Sequence, residues 1–352
     1  MNPLILVVGV AITILILSFI ILILLAIKIA SLKSIPKNLK DSAKKYLADN
    51  NDKLVNKTML SKKEFEEFVK NNNCTKTQAL LAFSDAAQYF FATHLPISNY
   101  HVGAVVRGSS GNIYFGGNME FTDVSLTTTI HGEQSACYNA FINGEKTLTH
   151  LAVNAPPCGY CRQFLNELSN AKSLIVLIED PNRPGEIISN TLPKFLPYSF
   201  GPKDLGNTTG MLDSKPFDLS LSATGMSGAT GTSSLIMKTL DYAKRSYAPY
   251  SLRPSAVGLL FDDESMYFGV YLENAAYDPS LDPIISALNY ATINGKSLKD
   301  IKEVVLLEAM IVDPSKQKNV STLNTTNGII NSINLENNLN LKVNYVPVDI
   351  KL

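Results

Sequence analysis

An internal repeat constrains the fold of this chain more than any other feature of its sequence. Residues 114–120 (YFGGNME) recur as residues 267–273 (YFGVYLE), and residues 135–144 resemble residues 286–295. The two matches differ slightly in spacing, so a small insertion or deletion separates them. Because self-similarity at a nearly fixed spacing indicates copies of one structural unit, we predict two tandem domains of the same fold.

The first copy is predicted to be a layered α/β domain. Apolar, β-branched runs typical of strands alternate along it with longer stretches typical of helices. The strands are expected at residues 102–106, 151–153 and 174–178, and the helices at residues 77–91, 132–143 and 158–168.

The N-terminal segment is strongly apolar. Its first 27 residues carry no charged side chain, and about 20 apolar residues suffice to cross a bilayer, so we predict a transmembrane helix over residues 1–30. A cleaved signal peptide is the alternative, but no Lys or Arg precedes the run. Four lysines follow the run: Lys28, Lys33, Lys37 and Lys40. The positive-inside rule therefore places the C-terminal body of the chain in the cytoplasm, on a single-pass membrane anchor. Without the anchor, the protein would be soluble and cytoplasmic.

Two short motifs in the first copy supply ligands for a zinc ion. Glu133 follows His131 by two residues, and Cys158 and Cys161 form a Cys-x-x-Cys pair directly after Pro157. Catalytic zinc sites use three protein ligands and keep one position for water. The combination is the signature of zinc nucleobase deaminases, in which the glutamate moves protons. Alone, the Cys-x-x-Cys pair would also fit a redox site or a structural zinc knuckle. We predict one zinc ion per chain, with Glu133 as the catalytic residue.

These motifs and their neighbours resemble the cytidine deaminase family, in particular its long two-domain form. The resemblance covers residues 40 to 352, and the matching stretches are residues 98–104 (SNYHVGA), 117–120 (GNME), 131–136 (HGEQSA), 157–168 (PCGYCRQFLNEL) and 196–205 (LPYSFGPKDL). It implies two tandem three-layer α/β/α domains and a homodimer. The implied reaction is hydrolysis of cytidine and deoxycytidine to uridine and deoxyuridine plus ammonia, for pyrimidine salvage.

The second copy lacks the zinc motif. In the repeat, Asp282 replaces His131 and Ile284 replaces Glu133, and no cysteine follows Cys161. A structural role is therefore expected for this copy. The predicted organisation is a transmembrane anchor at 1–30, a helical lead-in at 31–75, a catalytic domain at 76–205, a linker rich in Gly, Ser and Thr at 206–234, and a degenerate domain at 235–352.

The resemblance also assigns substrate-binding residues. Asn118 and Glu120 match family positions that hydrogen-bond the ribose hydroxyls, Tyr100 matches an aromatic residue that packs on the pyrimidine, and Phe200 matches one that lines the base pocket. Tyr277 lies in a segment that, in the family, closes the site of the other subunit. From the residues alone, a capped turn remains the alternative for the first pair, and a buried core position remains the alternative for Tyr100 and Phe200.

Composition favours a small neutral substrate over a nucleic acid polymer. The 31 basic and 31 acidic residues cancel, whereas proteins that bind nucleic acid polymers usually carry a basic surface. Cys74 and Cys137 are expected to be free thiols, because a zinc-thiolate enzyme suits a reducing compartment. Two alternatives remain: deamination of another aminated pyrimidine, and a membrane-tethered zinc-binding protein without turnover. Glu133 argues against the second, since binding alone needs no proton shuttle.

Overall fold

A computed structural model describes residues 16–23, 34–51, 56–222, 232–310 and 320–351. These residues form two α/β domains, one built on a six-stranded sheet and the other on a five-stranded sheet. The two sheets are consistent with the tandem α/β domains expected from the internal repeat.

The first domain has the strand order β1-β3-β2-β4-β5-β6. Strands β4 and β5 pair in parallel, and the other neighbours are antiparallel. Its strands are β1 (Met59–Leu60), β2 (Gly103–Gly108), β3 (Ile113–Gly117), β4 (Leu148–Val153), β5 (Ile175–Glu179) and β6 (Ile187–Thr191). Its helices are α1 (Lys37–Asn50), α2 (Lys62–Asn71), α3 (Lys76–Phe90), α4 (Gly132–Ile142), α5 (Gly159–Leu165) and α6 (Leu192–Phe195).

The second domain has the strand order β7-β11-β10-β8-β9. Here β10 and β11 pair in parallel, and the other neighbours are antiparallel. Its strands are β7 (Asp218–Leu221), β8 (Ser255–Phe261), β9 (Met266–Val270), β10 (Ile301–Met310) and β11 (Val343–Lys351). Its helices are α7 (Ser233–Ala243), α8 (Pro283–Ile293) and α9 (Leu323–Asn337). Strand β7 lies within the stretch that the sequence assigned to the linker.

One glycine in each copy allows a helix to pack closely on its sheet. A Cβ atom on Gly116 would lie 2.2 Å from the backbone nitrogen of Ala136 in α4. A Cβ atom on Gly269, the equivalent residue in the repeat, would lie 1.9 Å from the carbonyl oxygen of Pro283 in α8. Both distances are too short for a side chain, so close contact between helix and strand requires glycine here. In the first domain, this contact fixes the helix that begins next to His131.

The two domains meet through their equivalent helices α4 and α8. The Ser135 hydroxyl donates to the Asn289 side-chain oxygen at 2.6 Å, and the Asn289 amide donates to the Gly117 carbonyl at 3.0 Å. The buried Tyr138 hydroxyl donates to the Phe268 carbonyl at 2.8 Å. Apolar side chains from both domains form one continuous core around these bonds. Since these polar groups are buried and paired, they fix how the two domains are oriented.

The prediction of a transmembrane helix over residues 1–30 is corrected by the structure. Residues 1–15 and 24–30 lie outside the described residues, and residues 16–23 form a helical segment. None of the helices that the structure describes is long and apolar enough to span a membrane. The predicted membrane partner and single-pass location rested on that helix and are wrong on the same finding.

Candidate active site

The three predicted zinc ligands come together at the N-termini of two helices. His131 is the residue before α4, Cys158 is the residue before α5, and Cys161 lies in the first turn of α5. Their ligand atoms all lie within 4.8 Å of one another. Within the described residues, they form the only cluster of three His, Cys, Asp or Glu side chains placed to share a metal ion.

The spacing of these ligand atoms fits zinc. His131 Nδ1 lies 3.6 Å from Cys158 Sγ. Tetrahedral bonds of about 2.1 Å to nitrogen and about 2.3 Å to sulfur separate two such ligand atoms by about 3.6 Å. One imidazole and two thiols form a donor set that zinc prefers, so the cluster of His131, Cys158 and Cys161 fits a zinc ion.

The local fold stabilises a thiolate at Cys158. The Cys161 backbone N–H donates to Cys158 Sγ at 3.5 Å, as expected at a helix N-terminus. Hydrogen bonding from the Cys161 thiol, and then from His131, lowers the pKa of Cys158 to about 3. The same hydrogen bond to Cys158, together with burial, raises the pKa of Cys161 well above its usual range. Of the two thiols, Cys158 is therefore the more acidic.

Glu133 lies in the first turn of α4, buried beside the zinc ligands. Its burial raises the pKa of the carboxyl group above the ordinary value, although a backbone N–H, His131 and Cys161 oppose this shift. A carboxyl group with a raised pKa can both accept and return a proton near neutral pH. The structure places Glu133 where the sequence predicted it, next to all three ligands.

Asn118 and Glu120 both hold the loop that precedes β2. The Asn118 side chain accepts a hydrogen bond from Val102 N and donates one to Tyr100 O, each at 2.8 Å. Glu120 accepts hydrogen bonds from the backbone N–H groups of residues 97 and 98 at 2.9 and 3.0 Å, and from the Ser98 hydroxyl at 2.5 Å. After these bonds, the Asn118 amide has one N–H and one lone pair still available for a ligand, and the Glu120 carboxylate has about one lone pair available.

Glu273 in the second domain repeats the backbone contacts of Glu120. It accepts hydrogen bonds from Tyr250 N at 2.7 Å and from Ser251 N at 3.1 Å. The loops share a further property, since Asn99 and Leu252 both have a positive φ, of 50° and 58°. The second copy keeps this carboxylate without the zinc ligands, so holding the loop is a role that the fold itself requires. The sequence identified the repeated glutamate and left a capped turn open as the alternative role of Glu120, but it did not extend that role to Glu273.

The predicted aromatic residues of the substrate site lie at the surface. Tyr100 is 62% exposed, Phe200 is 47% exposed and Tyr277 is 66% exposed. The alternative of a buried core position is therefore wrong for Tyr100 and Phe200. Sequence reasoning missed Tyr160, whose ring stacks on the His131 imidazole with the ring centroids 5.2 Å apart. Tyr160 lies between Cys158 and Cys161 in the sequence, and this position could have indicated that its side chain lies next to the zinc ligands.

Comparisons with known proteins agree with this geometry. Two family models, both described as the cytidine and deoxycytidylate deaminase zinc-binding region, match residues 77–178 and 192–323. A cytidine deaminase of Aliivibrio fischeri is 40% identical over 252 residues, which cover 72% of this chain and 80% of the relative. A cytidine deaminase of Photorhabdus laumondii is 39% identical over 283 residues, which cover 80% of this chain and 90% of the relative. The chain therefore belongs to the cytidine deaminase family, and it is a zinc-dependent hydrolytic deaminase.

Proposed function

We propose that the enzyme deaminates the free nucleosides cytidine and deoxycytidine to uridine and deoxyuridine, with release of ammonia, in pyrimidine salvage. The observation that carries this proposal is the buried Glu133 beside the ligand set of His131, Cys158 and Cys161. A nucleoside is favoured over a nucleotide because Arg162, next to the zinc ligands, donates to the carbonyls of Pro157 and Phe195. Its guanidinium is thus engaged in holding the protein backbone.

The proposed mechanism assigns proton transfer to Glu133. When bound, zinc supplies Lewis-acid activation of the attacking water. Glu133 takes a proton from that water and delivers it to N3 of the pyrimidine, which makes C4 electrophilic. Oxygen then bonds to C4. Glu133 takes the remaining proton from this oxygen and passes it to the amino nitrogen, and the bond between C4 and that nitrogen breaks to release ammonia and leave the C4 carbonyl. The buried setting of Glu133 suits it to hold a proton between these transfers.

The nucleoside is proposed to bind next to the loop before β2, with separate residues for its ribose and its base. Asn118 and Glu120 would hydrogen-bond the ribose through the capacity that the loop leaves free. Tyr100 would pack on the pyrimidine ring and Phe200 would line its pocket. Their exposed rings support this assignment, because exposed aromatic groups commonly mark binding surfaces.

Removing single hydroxyl groups from the substrate tests the ribose contacts without altering the loop. We expect the hydroxyl bound by Glu120 to contribute about 10- to 100-fold to kcat/KM, the usual range for a hydrogen bond to a charged group. The rates of cytidine, 2′-deoxycytidine and 3′-deoxycytidine are measured from the fall in ultraviolet absorbance, with the unmodified enzyme and with Glu120→Gln. If Glu120 binds ribose, its substitution costs little for the substrate that lacks the hydroxyl. Equal losses for all three substrates would show that Glu120 only holds the loop.

We also propose that two copies of the chain form a homodimer in which Tyr277 closes the site of the other subunit. Tyr277 is 66% exposed, so its ring is accessible to a second chain. A C2 dimer would make this contact twice and complete both sites equally.

Mixed dimers test whether Tyr277 acts across the interface. Glu133→Gln and Tyr277→Ala chains are co-expressed with different tags, and the mixed dimer is isolated by two affinity steps. If Tyr277 acts in the other subunit, one of the two sites has both residues, so we expect about half of the unmodified activity per dimer. The two homodimeric variants serve as controls. A mixed dimer with half the activity of the Tyr277→Ala homodimer would place Tyr277 in its own chain's site.

A further inference from the structure

The second domain contacts the zinc-binding helix directly. The Asn274 side-chain amide donates to the Gln163 carbonyl at 3.0 Å, and Gln163 lies in α5 two residues after Cys161. Asn274 is fully buried. A carbonyl in the last turn of a helix has no partner within the helix unless the turn tightens or another group donates to it. The last turn of α5 tightens, so this carbonyl accepts the Asn166 N–H at 3.2 Å, and Asn274 supplies a second, independent hydrogen bond to it from the other domain.

Gln163 connects this contact to the base pocket. Its side-chain amide donates to the Phe200 carbonyl at 2.9 Å, and the Asn166 amide donates to the same oxygen at 2.9 Å. Gln163 Nε2 also lies 3.4 Å from Asn274 Oδ1. The same residue thus contacts the segment of Phe200 on one side and the second domain on the other.

A second contact holds the domains together at the end of the same helix. The buried Glu167 carboxylate accepts hydrogen bonds from the Ala275 N–H at 2.8 Å and from the Tyr247 hydroxyl at 2.7 Å. The Tyr250 hydroxyl donates to the same carboxylate at 2.5 Å. Residues 274 and 275 are therefore fixed against the catalytic domain by two independent side chains. Such buried, fully paired networks are rigid and specify one arrangement.

We propose that Asn274 is a positioning residue for nucleoside binding. It acts through α5 and Gln163 to hold the Phe200 segment at the base pocket, so the zinc-free domain sets the affinity of the catalytic one. This inference rests on the proposed role of Phe200 in the pocket. It gives the second domain a part in substrate recognition within its own chain, separate from the contribution of Tyr277 to the other subunit.

The substitution Asn274→Asp distinguishes a role in positioning α5 from a role in holding the turn that contains Asn274. Asn274 Oδ1 also accepts the Ala276 N–H at 3.0 Å, a bond that holds the turn. Aspartate keeps this acceptor and is equally suited to the turn, and in its ionised form it cannot donate to the Gln163 carbonyl. Because a protonated carboxyl group at this buried position would donate, KM is measured over a range of pH, and Asn274→Ala, which has no side-chain donor at any pH, is measured alongside. We expect Asn274→Asp to raise KM for cytidine about three- to tenfold, the usual range for one neutral hydrogen bond. We expect kcat to change less than twofold, with zinc content per chain unchanged.

Further variants and a binding measurement test whether Asn274 acts through Gln163. Gln163→Ala should raise KM as well, and its combination with Asn274→Asp should raise KM less than the product of the single effects, because the residues act in sequence. Isothermal titration with the product uridine should show the same loss of affinity without turnover. An unchanged KM and uridine affinity in Asn274→Asp would overturn the proposal, as would a loss of zinc or of kcat alone. If Phe200→Ala raises KM while Asn274→Asp does not, the role of Phe200 stands and the proposal for Asn274 fails. If Phe200→Ala leaves KM unchanged, the role of Phe200 fails, and the route proposed for Asn274 fails with it.

Discussion

Replacing Glu133 with Gln is expected to lower kcat for cytidine by about 10²- to 10⁴-fold, the usual contribution of a general acid–base residue. Glutamine has nearly the same shape as glutamate but cannot carry a proton, so zinc content and fold should be unchanged. Turnover is measured from the fall in cytidine absorbance, and zinc by elemental analysis of the same samples.

A matched control for this substitution is Glu145→Gln. Glu145 is also a buried carboxylate, but it lies beyond the C-terminal end of α4 and accepts hydrogen bonds from the hydroxyls of Ser109, Ser110 and Tyr114. Its substitution should leave kcat close to that of the unmodified enzyme. Full activity in the Glu133 variant would refute the proton-shuttle role, and loss of zinc there would show that the residue supports the metal instead.

Replacing Glu308 with Ala is expected to destabilise the protein by about 3–5 kcal/mol, because it leaves a buried Arg253 unpaired. The guanidinium lies 2.8 Å from the carboxylate, and the two side chains are only 7% and 1% exposed. Glu308 also accepts hydrogen bonds from the Thr322 N–H and the Ser321 hydroxyl. The free energy of unfolding is measured by urea denaturation, followed by circular dichroism.

A matched surface pair provides the control for Glu308. Lys302 and Glu264 lie 2.7 Å apart, but their side chains are 52% and 69% exposed. Glu264→Ala should therefore change stability by less than about 1 kcal/mol. The double variant Arg253→Met/Glu308→Leu should recover most of the loss, since an apolar pair leaves no buried charge. Similar losses for Glu308→Ala and Glu264→Ala would contradict the proposed cost of the unpaired charge.

The sequence predicted those parts of the fold that depend on local pattern. The repeat predicted two domains, and the strands predicted at 151–153 and 174–178 lie within or overlap β4 and β5. The zinc ligands could be predicted because each belongs to a short motif at the start of a helix. Strand β7 was missed because its four residues lie in a polar stretch and pair only with β11. Its partner is far away in the chain, which local pattern does not reveal.

Most features that the sequence did not predict depend on contacts between residues that are far apart in the chain. Asn274 and Gln163 are separated by 111 residues, and neither belongs to a motif that predicts their hydrogen bond. The burial of Arg253 and Glu308 could not be read from residue type, because charged side chains are usually exposed. The transmembrane prediction failed for a different reason. Hydropathy measures the composition of a segment, and it does not establish a continuous helix of sufficient length.

The loop carboxylates Glu120 and Glu273 bear on how the two halves of this chain diverged. A gene duplication leaves both copies under the same folding requirements but frees one from chemistry. The second copy exchanged the zinc-binding histidine for Asp282, yet it retained a carboxylate that binds the backbone N–H groups of Tyr250 and Ser251. The two domains can therefore be compared position by position. Residues that are the same in both domains indicate what the fold requires, and residues such as His131 that are present only in the first domain indicate what catalysis requires.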